Sequence, residues 1–149
     1  MADTKISALS AGTALAGTEV VPAVQGGSTV KSTIDDISLR AAQYGCPQNS
    51  KSADYTLVLA DAGKHILHPA ADTNNRTFTI PANGSVAYPV GTAVTFVNEV
   101  NTVTIAITTD TMVLASAGTT GSRTLAANGI ATALKITSTK WIISGTGLT

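Results

Sequence analysis

Beyond residue 53 the chain alternates apolar and polar positions through short runs. In 102–108, Val103, Ile105 and Ile107 fall on one side and Thr102, Thr104, Ala106 and Thr108 on the other. Period two marks a strand with one buried face. Val, Ile, Thr and Phe also fit a pleated sheet better than a helix. Residues 93–98 form a similar run, and the short link Glu99-Val100-Asn101 predicts a hairpin between the two. Further strands are predicted at 55–60, 64–68, 76–80, 111–115, 124–127, 130–137 and 140–144; in 130–137, Ile130, Leu134 and Ile136 point one way. Asp61-Ala62-Gly63, Asn83-Gly84, Pro89-Val90-Gly91 and Asn128-Gly129 supply turn chemistry, the last as a type I′ hairpin dipeptide. About nine or ten strands at intervals of about 8–12 residues predict an all-β module over 51–149, a β-sandwich of jelly-roll-like kind.

The first 50 residues follow another pattern. Ile6, Leu9, Leu15, Val20, Val21 and Val24 are spaced irregularly among Ser, Ala, Gly and Thr. This predicts an extended arm that gains order by lying on another surface. Within it, 19–24 and 28–32 pair as a hairpin across Gln25-Gly26-Gly27, with Pro22 confined to an edge. Residues 33–45 predict one short helix. Thr33 is its N-cap, Asp35 and Asp36 lie in its first turn, and Ile34, Ile37 and Ala41 share a face. Gly45 and Pro47 close it, so the domain boundary falls near 50, between an attachment arm (1–50) and the β-module (51–149).

Composition adds a requirement for partners. Of 149 residues, 44% are hydrophobic and only 12% charged, against roughly 25% charged in an ordinary globular domain. Cover by other chains in an obligate oligomer would meet that shortfall; the alternative is a monomer coated with threonine hydroxyls. Net charge is zero, so no basic stripe meets nucleic acid. No run approaches the ~20 apolar residues of a spanning helix, so no membrane insertion is expected. Cys46 is the single cysteine, and the opening residues lack the apolar stretch of a signal peptide. Synthesis in a reducing cytoplasm is the expectation.

Candidate chemistry is thin. His65 and His68 stand three apart, which on a strand places them on opposite faces and argues against a shared metal. Residues 118–123, GTTGSR, lack the lysine and following helix of a phosphate loop. Asp54, Asp61, Asp72, Glu99 and Asp110 are scattered over loops and turns, and no nucleophile-elbow motif appears. No catalytic residue, metal or cofactor is read. Trp141 and Phe96 are expected in the core, and Tyr88, beside Pro89, is the aromatic expected at the surface as a ligand contact.

Two stretches resemble bacteriophage structural proteins. Residues 5–37, KISALSAGTALAGTEVVPAVQGGSTVKSTIDDI, carry an Ile-Ser-x-Leu opening, a Gly-Thr-Glu step and a Val-Pro-x-Val-Gln-Gly-Gly turn. They are similar to N-terminal segments of tail-fibre, tailspike and minor structural proteins. LADAGKHI (59–66), IPANGSVAYPVGTAVTFV (80–97), TVTIAI (102–107) and KWIISGTGLT (140–149) resemble a β-module of fibre-type proteins. The resemblance implies a virion structural protein made in the host bacterial cytoplasm. It would be a homotrimeric small fibre or capsid decoration protein, docked on tail or capsid proteins through its arm. Ile6, Leu9, Leu15, Val20, Val21, Val24, Ile34 and Ile37 would supply attachment and oligomer contacts. No shaft repeat or separate receptor-binding tip is present, unlike long fibres. The alternative is a module binding a host surface glycan, with Tyr88 stacking on the sugar. An enzyme acting on polysaccharide ranks third, since it needs two carboxylates roughly 5–9.5 Å apart and acids are sparse.

Overall fold

The structure, a computed structural model, describes residues 18, 20–34 and 45–149. The chain divides into two compact units, Met1–Gly45 and Cys46–Thr149. In the first, β1 (Val20–Gln25) and β2 (Ser28–Thr33) form the expected antiparallel hairpin. Gly26 and Gly27, both at positive φ, make its turn. Ile34 has helical backbone; the rest of the helix expected over 33–45 lies outside the described residues.

The second unit is all β apart from one 3-10 turn, Leu59–Asp61. Its strands are β3 (Gln48–Ser50), β4 (Tyr55–Thr56), β5 (His65–His68), β6 (Arg76–Ile80), β7 (Ala93–Asn98), β8 (Val103–Ile107), β9 (Thr111–Leu114), β10 (Arg123–Thr137) and β11 (Lys140–Leu148). The chain visits two stacks alternately. β3, β5 and β7 pair in parallel in one, and β4, β6 and β8 pair in parallel in the other. Each pair of successive strands is therefore one coil, and the coils pile up as in a β-solenoid. The expected β-sandwich or jelly roll is corrected here, because those folds join antiparallel neighbours whereas these six strands run parallel with their stack neighbours.

The predicted hairpin between 93–98 and 102–108 is corrected for the same reason. Both strands exist, but β7 and β8 belong to different stacks and do not pair. Asn101, at φ 53°, lies in the link that carries the chain from one stack to the other. Nor does Asn128-Gly129 make a hairpin turn. It lies inside β10, where Asn128 (φ 59°) sits at a register irregularity. β10 pairs antiparallel with β8 through 123–125 and with β7 through 129–134, so it retraces the third coil backwards. β11 follows β10 back and also pairs in parallel with β9. Gly145 of β11 lies so close to β10 that a Cβ there would stand 2.2 Å from the Ile130 carbonyl oxygen.

The core lies between the inner faces of the stacks. Ile66, Val94, Phe96, Ala131, Ala133, Trp141 and Ile143 come from one; Leu57, Phe78, Ile80, Val103, Ile105 and Leu125 from the other. The stacked rings of Phe78 and Phe96, 6.5 Å apart, join β6 to β7 across it. Trp141 and Phe96 are fully buried, as expected.

Candidate interaction face

Strand alternation that buries one side of the β5–β7–β10–β11–β9 stack presents the other outward in ordered rows. Leu67, Val97 and Ile130 form one row in register. His65, Thr95, Thr132 and Ser144 form the next, with the Thr95 and Thr132 hydroxyls 3.0 Å apart. Ala93, Leu134, Ile142 and Val113 form the third. Ile130 is 50% exposed and Leu134 and Ile136 are each 39% exposed. No Asp, Glu, Lys or Arg stands in these rows. The other stack presents threonines: Thr77, Thr104 and Thr124 in one row, Thr56 and Thr79 in another.

The sequence located Ile130, Leu134 and Ile136 on a common face; that face is the outer one. Ala131, Ala133 and Lys135 point inward instead. Ala131 pairs with Phe96 and Ala133 with Val94, where bulky neighbours leave room for small residues. The signal was the intervening Ala-x-Ala, which fits a crowded interior better than an outer surface.

Polar side chains are gathered at three places in the solenoid. At the first coil, Asn49 and Tyr55 occupy rows filled by Ile66 and Phe78 in the second. Asp61, 1% exposed, accepts from Asn49 Nδ2 (2.8 Å), the Tyr55 hydroxyl (2.8 Å) and the Val58 amide (2.9 Å). Burial, with the Asp61 hydrogen bond, raises the Tyr55 pKa. At the corner between stacks, the fully buried His68 sets Nδ1 2.7 Å from Asn98 Oδ1 and Nε2 3.2 Å from Asp72 Oδ2. Asn98 donates to the carbonyls of Asn101 and Leu125, which ties β5, β7 and β10 together at that corner. Arg76 grips both Asp72 oxygens, at 2.6 and 3.0 Å, and with Asn74 holds that carboxyl well below the usual carboxylate range. The third place joins Lys135, Asn83 and Asp110.

Tyr88, expected at the surface, is a correction: it is 3% exposed. Its ring meets Trp141 edge-on and its hydroxyl donates to the Val58 carbonyl at 2.5 Å. Burial raises its pKa, with the Asp61 and Tyr55 charges adding to the effect. His65 and His68 do face opposite ways, His65 lying against Cys46 and Gln48. Among the described residues no three His, Cys, Asp or Glu side chains gather as a metal site. Of the expected attachment residues, Val20 (55% exposed) and Val21 (38%) stand out from the β1–β2 hairpin, and Ile34 is half-buried. Val24 lies in β1; its side chain, and Ile6, Leu9, Leu15 and Ile37, lie outside the described residues. No protein-family model matches the chain, and no curated protein matches it.

Proposed function

We propose that this chain is a structural protein of a bacteriophage virion. In this reading it is a homotrimeric small fibre or capsid decoration protein, docked on the particle through its N-terminal unit, with the solenoid as the projecting module. It is an interaction protein rather than an enzyme. The observation that carries the reading is the outer face in which apolar rows flank the row of His65, Thr95, Thr132 and Ser144, with no Asp, Glu, Lys or Arg in the three rows and Lys140 at their edge. Copies meeting around a symmetry axis bring like residues close together, and rows without Asp, Glu, Lys or Arg meet their own copies with no such like charges opposed. The sequence resemblance over 5–37 and 55–149 supplies the phage setting.

Size adds a condition. Five strands about 4.8 Å apart, over some five residues of about 3.3 Å each, give a face on the order of 300 Å². A stable interface needs about 800 Å² per partner. The solenoid face alone therefore falls short of a stable trimer, and a further contact surface is needed.

Light scattering on the full chain tests the assembly. The wild type is expected at three times the chain mass, and Leu134→Glu at the chain mass with an unchanged β-sheet circular dichroism spectrum. A wild type that stays monomeric at high concentration overturns the trimer. Banding of the chain with phage particles on a density gradient tests the setting; its absence from the particle band overturns it.

A further inference from the structure

Lys135 faces inward from β10 and is 1% exposed. Among the described residues no carboxylate lies within ion-pair distance of it; the two pairs present involve Asp72 alone. Its Nζ donates to Oδ1 of Asn83 at 2.6 Å. The surroundings are aromatic: the fully buried Trp141 ring lies 5.6 Å from Nζ, and Tyr88 packs edge-on against that ring. Both oxygens of the buried Asp110 hold the Asn83 main-chain N–H, at 3.2 Å, so the loop that carries the amide is fixed in front of the amine.

A carbonyl bond is about 1.23 Å long, so Nζ stands at most about 3.8 Å from Asn83 Cγ. Reacting atoms poised for attack stand about 3–3.5 Å apart. The geometry points to an intramolecular isopeptide bond between Lys135 Nζ and Asn83 Cγ. Lysine is a nucleophile toward carbonyl carbon when set in apolar surroundings. The ammonium first gives up a proton, the freed nitrogen lone pair adds to Cγ, the Cγ–Nδ2 bond breaks, and Nδ2 leaves as ammonia. The two protons lost from the lysine ammonium depart with it, so the products are a secondary amide and one ammonium ion, and no oxidant or co-reactant is consumed. The reaction also replaces a buried cation with a neutral group, which removes the cost of keeping a charge from water.

The bond would tie β10 to the loop between β6 and β7, 52 positions away in sequence. Closing so long a loop covalently restricts the unfolded chain, and does so whichever particle the protein serves.

The test is the mass of the purified full chain under denaturing conditions, followed by tryptic digestion. The expected mass is below the sequence mass by one ammonia. The digest is expected to hold a branched peptide joining 77–123 to 124–140, uncut after Lys135. Lys135→Arg and Asn83→Ala are each expected to restore the uncrosslinked mass. A wild type at full sequence mass, cut freely after Lys135, overturns the proposal. So does loss of ammonia with 77–123 and 124–135 recovered separately, the signature of a succinimide at Asn83-Gly84.

Discussion

Asp72 shows how much one side chain does at the corner between the stacks. It accepts from Arg76 and Asn74 and lies against the His68 ring, and Arg76 and Asn74 hold its pKa below the ordinary value of 3.8. Folding therefore favours its ionised form. That contribution is fully present above pH 3.8 and is lost as pH falls through the lower folded value. Urea midpoints are expected to fall steadily below about pH 4 in the wild type, and less steeply in Asp72→Asn. Equal acid limbs would count against the corner. Little of this was legible. Asp61, Asp72 and Asp110 read as turn residues because local chemistry places carboxylates in turns. Their burial follows from contacts with Asn49, Arg76 and Asn83, which sequence spacing does not reveal.

At the level of elements, the alternation located most of the strands of the second unit, though not β3 and not the 3-10 turn at Leu59–Asp61, and it did not find their partners. Period two is a property of a single strand, and it correctly separates Val103 and Ile105 from Thr102 and Thr104. Pairing depends on what lies beside a strand. Glu99-Val100-Asn101 is as short as a hairpin loop, yet it spans a corner, because β7 and β8 each have other neighbours. The coils are also unequal in length. Gln48 stacks on His65 and His65 on Thr95, so no repeat shows in the sequence. Asn128-Gly129 bends a strand that continues, since β10 has a coil to follow. The close approach of β10 and β11 gives a direct check. Gly145→Ala would press a methyl against the Ile130 carbonyl and Ala131. Such overpacking typically costs about 1–3 kcal/mol. A lowered urea midpoint, with faster amide exchange in β10 and β11, is expected; an unchanged midpoint would mean that the strands separate freely.

The whole second unit has two unlike ends. Its first coil consists of a three-residue and a two-residue strand, β3 and β4. Its last is backed by fifteen-residue β10 and nine-residue β11. Cooperative opening should start where least surface is buried. Amides in 48–56 are expected to exchange well before those in 93–98 and 129–143, as read by hydrogen exchange with mass spectrometry. Uniform protection would show that the polar cluster of Asn49, Tyr55 and Asp61 holds the first coil as firmly as the apolar core holds the rest.

The backward run of β10 also bears on solubility. A pile of parallel strands invites fibre growth, since each terminal strand is a template for another chain. Here β7 and β8 are covered by a strand of opposite direction. The outer edge of β9 is occupied by its own loop, through the Leu114 amide to the Thr119 carbonyl and the Gly121 amide to the Met112 carbonyl. At the other end β3 and β4 are too short to seed a long ladder. A sequence rich in Thr, Val and Ile is thus kept from amyloid-like stacking by direction and length of strand, without the surface charge that other proteins use for that purpose.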